Sequence, residues 1–537
     1  MAVLPSPSNT AQPQAQGFEA NLDDLFLRFA VGPGRQMQIN TAPLQAQAIQ
    51  TSETPEDFQQ EFGQIYSRTN FSGGEGLDKA HRREGTPNDF SRFWDSKGID
   101  VFHAEQDNSY SVRLLKDVEQ KTLTLSSENN YLAQTTNGYM YITDGTSIYQ
   151  SIDEGVTWTA MTSTQVSYNI HGIVAFGNDL FIVTGDGNTN KQLISYDLST
   201  TTFTDENLGA VFTGHFTGIW FAKGALFLSG KSTTAEYLWQ SSPFIHNFSG
   251  DFETADALVT TEPTHQFTDV IDAGAVVLAG NTDSNIYSLK IDGGTWSLKG
   301  QTQLAFEEIH SLAATEGIVY IGTKGYQANT GRFYTAELTV ADNLYVLANR
   351  QLIKEWDNGV DQSPHSMFVT RDSVYMGIHE SATETNLWRY YLPTAGIARD
   401  LSVTHTSDTN AKVTGITQTG TTGGKFIMLI SGVGVYKETD TFVSTGYIIS
   451  ALADFYTSEN KQWVGAKLNT NGVSSGTIAL ATTTIPADIN NNVSPTWENQ
   501  ITVASGSGGD EEVLELGQGR WMSVRLTITT SDTTQSP

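Results

Sequence analysis

One hydrophobic pattern recurs seven times between residues 129 and 437: a short apolar strand, a tight turn, an unbroken apolar run, then a strand with an aliphatic–aromatic pair. The runs are Tyr139–Ile142, Leu180–Val183, Ala225–Leu228, Ala275–Ala279, Ile318–Ile321, Val374–Ile378 and Phe426–Ile430. The pairs that follow are Ile148-Tyr149, Ile194-x-Tyr196, Leu238-Trp239, Ile286-Tyr287, Phe333-Tyr334, Leu387-Trp388 and Val435-Tyr436. The turn positions Gly138, Gly177, Gly224, Gly274, Gly317, Ser373 and Gly424 recur every roughly 40–56 residues, the spacing of propeller blades. A unit of three or four strands cannot bury its own faces and must stack on its neighbours. The pattern therefore predicts an all-β fold with a β-propeller of about seven blades over 99–445.

The flanks read differently. Residues 1–60 are rich in Pro, Gln, Ala and Asn, with one apolar cluster at Leu25–Val31, and 1–98 as a whole reads as an extended N-terminal arm and anchoring segment. Only Glu56–Ile65 carries a short helical pattern. Strand-like runs at Ile99–Phe102, Ser109–Leu115 and Lys121–Leu125 are placed to complete the last blade. Beyond residue 446, Met522, Val524, Leu526 and Ile528 alternate with Trp521, Ser523, Arg525 and Thr527, the period of a strand with one buried face. Further runs near Tyr447–Leu452, Trp463–Leu468, Thr477–Ala481 and Asn499–Val503 extend this to a β-sandwich over 446–537.

Charge narrows the partners. The formal net charge is −29, a field that repels phosphate backbones and anionic lipid, so nucleic-acid binding is not expected. The absence of cysteine removes disulfides, thiolate metal sites and a cysteine nucleophile. The first residues lack the basic and apolar regions of a secretory signal, and no stretch approaches the roughly 18–20 apolar residues of a membrane span. A chain made in the cytoplasm, with no membrane span and no cofactor, is the expectation.

Ser151, Asp153, Gly155, Thr157 and Trp158 match the Asp-box pattern Ser-x-Asp-x-Gly-x-Thr-Trp at every fixed position. In such a box the aspartate accepts turn amides, the glycine takes a positive φ and the tryptophan packs beneath the hairpin, a structural role. Asp292-Gly-Gly-Thr-Trp296 is a degenerate copy. Asp-boxes occur in sialidases, whose site needs three converging arginines, a tyrosine nucleophile with a glutamate, and an acid aspartate. Here the arginines within the repeats are Arg332, Arg350, Arg371, Arg389 and Arg399, all in the later units. His171, His310 and His365 fall at equivalent places at the start of first strands; three imidazoles so placed could gather a metal, but bonding of each to a neighbouring backbone is the expectation. Asp186, Asn188 and Asn190 have the oxygen spacing that opens a calcium loop, but Lys191 replaces its glycine, so a polar hairpin tip is expected. Trp356 is a candidate exposed loop aromatic.

A dense patch precedes the repeats: Phe71, Gly73, Gly74 and Glu75, then Arg82 and Arg83, then Arg92, Trp94 and Asp95. Gly-rich turns beside Arg, Asp and aromatic side chains suit a docking surface or, equally, a structured loop capping the first blade. Asn70–Gly76, Arg92–Ser96 and Gly519–Ile528 resemble segments of structural tail proteins of tailed bacteriophages. That resemblance implies a virion structural protein of the tail or tail tip, a symmetric multimer acting in assembly and host-surface attachment. The implied partners are other virion tail proteins, met through the arm and an unpaired C-terminal sheet edge, and a host-surface glycan or protein. The alternatives are a glycan-degrading propeller enzyme, sialidase-like or depolymerase, and a capsid or neck decoration protein.

Overall fold

The computed structural model describes residues 71–536, except 77–91, 104–111, 451–460, 485–495 and the loop positions 164, 178, 207, 209–211, 243–247, 249–250, 327–328, 358, 421–423, 471–472, 508 and 520–521, together with strands within 17–45 and at 62–63. Each of the seven apolar runs falls on the second strand of a four-stranded antiparallel sheet, and each aliphatic–aromatic pair on its third strand. The sheets occupy 132–161, 169–205, 215–261, 267–303, 307–356, 367–404 and 413–442. The last holds three of these strands and takes its fourth, Lys116–Gln120, from the other side of the repeats. The second strands read as continuous apolar runs because both faces are covered: Met140–Asp144, Val277–Asn281 and Phe426–Ile430 are buried at every position.

No single core holds the molecule. Separate apolar clusters fill the seams between successive sheets; one joins Phe181 and Val183 of the second sheet to Phe216, Leu228 and Trp239 of the third. Another joins Met140 and Ile142 of the first to Ile427 and Leu429 of the seventh. Small residues set the separation. A Cβ on Gly172 would lie 2.8 Å from Ile219 Cγ2, and one on Gly415 2.6 Å from Leu132 Cβ. Thr217 and Glu236 form a polar island in the third sheet: the Thr217 hydroxyl donates to Glu236 Oε1 at 2.6 Å. Glu236 is fully buried, and desolvation pushes its carboxyl up to about 7 despite that hydrogen bond.

Hydrogen bonding keeps the seven sheets separate, and none closes on itself. The expected seven-bladed β-propeller is therefore corrected to a plainer architecture, an almost entirely β-stranded fold of small four-stranded antiparallel sheets. A repeat period counts units; it does not say whether a sheet curls or closes. The self-contained C-terminal β-sandwich is corrected as well. Thr445–Ser450 and Ser523–Thr529 join Gly74–Glu75 and Arg92–Lys97 in one six-stranded sheet, with Lys461–Thr470 and Gly509–Gly519 forming a two-stranded sheet beside it.

In that sheet Ser523–Thr529 lies between Thr477–Thr483 and Thr445–Ser450, bonded on both sides. The final strand thus has no open edge: the gap expected beside it is filled by the chain's own strands, and the sheet ends instead at Glu498–Ala504 and Gly74–Glu75. Past it the chain turns back: Phe442 N donates to Thr533 O at 2.7 Å and Leu114 N to Ser536 Oγ at 3.0 Å. Within the expected extended arm, Gly17–Leu22, Leu25–Val31 and Met37–Ile39 form a three-stranded antiparallel sheet. Of the segment expected as a helix, Phe62–Gly63 is a short strand paired with Leu44–Gln45, and the rest lies outside the described residues. Among the described residues no helix is long and apolar enough to cross a membrane.

Candidate functional site

The Asp-box lies in the hairpin between Ser147–Ser151 and Thr159–Met161. Ser151 Oγ donates to Asp153 Oδ1 at 2.8 Å and accepts from Gly155 N at 2.8 Å; Thr157 gives its N–H to Asp153 Oδ1 at 2.9 Å and its hydroxyl to Oδ2 at 2.5 Å. Burial would raise the Asp153 carboxyl, but these donors prevail and hold it at about 2. Gly155 takes φ 77°, and a side chain there would also strike the seventh sheet, 2.4 Å from Ile427 Cδ1. Lys437 Nζ donates to Glu154 O at 2.7 Å, and Trp158 packs on the cluster of Ile427 and Leu429. The box thus clamps the first sheet to the seventh. In the degenerate copy, Gly293 and Gly294 make a two-residue turn and Trp296 packs on Phe227 of the preceding sheet at 5.2 Å.

Most of the described patch residues are engaged within the chain. Glu75 and Lys354 form an ion pair of 2.7 Å with both side chains 3% exposed, and Lys354 also donates to Gly76 O at 2.9 Å. Arg399 binds Glu380 at 3.0 Å, pairs with Asp95 and donates to Ser96 O at 2.8 Å. Tyr447 OH completes the knot on Asp95 Oδ2 at 2.9 Å, and Trp388 lies 5.2 Å from both the Lys354 ammonium and the Arg399 guanidinium. Phe71 packs edge-on against Phe93, Trp94 is buried, and Arg92 is half-buried at the start of its strand. The glycines serve close backbone approach: a Cβ on Gly74, at φ 78°, would lie 2.2 Å from Ile397 N, while Gly73 lies against Gly396. Arg82 and Arg83 lie outside the described residues.

Other expected positions separate in the same way. Asp186 Oδ1 accepts from the N–H groups of Asn188 and Asn190 at 2.8 and 3.1 Å, and Oδ2 from the Asn190 amide at 2.7 Å, so its oxygens turn onto their own hairpin. His171 lies beside His215, with ring centroids 6.0 Å apart, and His310 beside His365 at 4.4 Å. Among the described residues no group of three or more histidines and acids is placed to hold a metal. Trp356 is buried against Trp388 at 5.4 Å, which corrects its reading as an exposed aromatic. Arg332 is held by Glu307 and Glu355, Arg389 by Ser373 and Asp100, and Arg399 by the knot above; Arg113 also reaches Asp100, at 3.5 Å, but among the described residues no three arginines share one acid.

The chemistry that does converge was legible in sequence only at His365. A cavity of about 650 Å³ opens where three inter-sheet connections meet one hairpin. Glu128–Tyr131 contribute from the entry to the first sheet, Lys324 and Asn329 from the fifth, Gly359–Asp361 and His365 from the entry to the sixth, and Thr409, Asn410, Lys412 and Thr414 from the entry to the seventh. Asn130 anchors one wall, donating to Thr143 O at 2.8 Å and accepting from Gly432 N at 3.1 Å. A β-bulge recurs in the first strands, at His171, Thr217, Thr268, His310 and Thr414. Bulges re-aim one side chain, and Thr414 is the bulged residue on the cavity wall.

Opposite it, Asp361 takes Lys324 Nζ at 3.0 Å and both the N–H and the hydroxyl of Ser363. The hydroxyl of Ser363 lies 2.9 Å from His365 Nε2. Burial would raise the Asp361 carboxyl, but His365, Ser363 and Lys324 hold it well below the usual carboxylate range. Burial first, then His310, pushes the His365 imidazole down to about 3, leaving it neutral near pH 7. With its own proton given to Asp361, Ser363 accepts from the imidazole. A serine so arranged is a strut between acid and imidazole, not a hydroxyl activated for attack.

No family model matches the chain. No curated protein matches it either. Among solved structures, one of the mitotic checkpoint complex is similar at 12% identity and a TM-score of 0.42, covering 60% of this chain and 93% of that one. A periplasmic gluconolactonase of Pseudomonas aeruginosa is similar at 10% identity and 0.39, covering 52% and 86%. A protein from Lactobacillus plantarum is similar at 13% identity and 0.39, covering 56% and 90%. Likenesses this distant carry no argument about function. None supports kinship with phage tail proteins, and that expectation is corrected, together with the virion and tail-tip placement it implied. The segments that carried it have an internal reason for their composition: Phe71–Gly76 and Arg92–Lys97 build the six-stranded sheet and its ion-pair knot.

Proposed function

We propose that this protein works by binding rather than by chemistry, attaching through the polar cavity to a hydroxyl-rich glycan displayed on a surface. The observation that carries the reading is the composition of the cavity wall, which is dominated by amide, hydroxyl and ammonium groups supplied by four separate parts of the chain. Such groups match the dense donors and acceptors of a sugar, and the volume lies within the range of small-molecule sites. Two exposed aromatics support it. Phe306, 80% exposed, is held at φ 66°, and Tyr326, 45% exposed, donates its N–H to Phe306 O at 3.1 Å; Tyr326 belongs to the hairpin that brings Asn329 to the cavity. A bulky residue kept at positive φ and in water is a costly arrangement that suits a contact platform.

Assembly contacts are the second half of the reading. Val340 and Leu344 flank an Asp342-Asn343 turn at the tip of a long hairpin and are 59% and 50% exposed. Exposed apolar groups of this kind favour protein contact. The test is saturation-transfer NMR of the full chain against a panel of neutral and acidic oligosaccharides, with sugar release followed in parallel. Contact signals without release are expected. Release of sugar would refute the non-catalytic role, and silence across the panel would refute the glycan reading.

A further inference from the structure

Lys412 stands out in a chain with 30 basic and 59 acidic side chains. It is half-buried on the cavity wall, yet no hydrogen bond or ion pair joins its ammonium to any described residue. Lys324, in the same cavity, has Asp361 at 3.0 Å. Two residues from Lys412, the Thr414 hydroxyl is buried without a hydrogen-bond partner among the described residues. Buried polar groups are almost always satisfied, so the Thr414 hydroxyl marks a place for a ligand oxygen, and the Lys412 ammonium on the same wall, reached by solvent and held by no described carboxylate, supplies the charge beside it.

We propose that the cavity selects a carboxylated sugar, its carboxylate bound by the Lys412 ammonium and the Thr414 hydroxyl and its hydroxyl groups by Asn129, Asn329 and Asn410. This rests on the glycan reading above and sharpens it. One free ammonium and one hydroxyl match a single negative charge. A phosphate dianion is better served by arginine forks, and no arginine lines the cavity. The net charge of −29 repels polyanions at long range, so the fit is to one terminal acidic residue entering the cavity, not to a densely charged polymer.

The test is calorimetric titration of the full chain with glucuronate, its methyl ester and glucose, and with inorganic phosphate as competitor. Glucuronate is expected to bind about tenfold or more tightly than the ester or glucose, the scale of a hydrogen-bonded charge. Lys412→Gln should abolish that preference with the melting temperature unchanged; Lys412→Arg should restore much of it, and Thr414→Val should weaken it. Equal binding of all three sugars, or an unchanged preference in Lys412→Gln, overturns the carboxylate site while the glycan reading stands. Displacement by phosphate at lower concentration than glucuronate overturns the choice of carboxylate. Binding of none of the sugars overturns both.

Discussion

Replacing Glu236 by glutamine should change how the stability of the protein depends on pH. Glu236 is fully buried in the third sheet, one oxygen accepts the Thr217 hydroxyl, and its carboxyl is pushed from 4.5 to about 7 by desolvation. For an acid whose folded value is raised, the contribution to stability is fully present below the unfolded value. It is lost as pH rises through the folded one. Ionising a carboxyl moved from 4.5 to about 7 costs about 1.4 kcal/mol for each pH unit between the two values, about 3 kcal/mol in all. Most of that loss falls between pH 5 and pH 8. Glutamine keeps the shape and the acceptor and cannot ionise. The assay is urea unfolding of both proteins at several pH values across that window, read as the difference between their midpoints, so that other titrating groups cancel. The variant should gain on the parent by about 2–3 kcal/mol from pH 5 to pH 8. Parallel curves would refute the argument and mean that the buried carboxyl is stabilised as an anion by something other than Thr217.

Arg399→Met leaves Asp95 and Glu380 without their shared cation and should cost about 3 kcal/mol or more, seen as an earlier thermal transition, with Arg399→Lys recovering only part. Gly155→Ala forces a side chain into φ 77° and against Ile427 Cδ1; it should cost about 1–3 kcal/mol, and Ile427→Val should return a measurable share in the double variant. Ending the chain after Gly519 removes the strand Ser523–Thr529 from between its two neighbours, so limited proteolysis should cut rapidly within 445–483 and near 92–97; unchanged protection there would contradict the pairing.

The sequence exposes the strands more clearly than the way they come together. Phe426–Ile430 and Met140–Asp144 are covered on both faces, so each shows as an uninterrupted apolar run, and the aliphatic–aromatic pairs show because the third strand is also largely buried. Nothing comparable marks closure, since that depends on shape and not on which residues are apolar. The glycine-rich patch admits two readings for a related reason. Gly74 touching the Ile397 backbone and a glycine touching a partner leave the same trace in a sequence. Charged residues have the same ambiguity, because Arg399 and Asp95 lie 304 positions apart and only folding joins them. The cavity was the least legible of all. Glu128, Asp361 and Lys412 come from three inter-sheet connections and Asn329 from a hairpin, and no local spacing relates them.

The long-range pairings also order events in time. Lys116–Gln120 finds its partner in Gly434–Phe442, and Arg92–Lys97 pairs with Thr445–Ser450. During synthesis these pairings must wait until more than 300 residues have followed the early strands off the ribosome. Closing such distant contacts is slow, and waiting strand edges are open to aggregation and proteolysis. A product that stops short of these partners leaves the same edges open. Only a molecule translated at least as far as residue 450 can bury the edges its first hundred or so residues present.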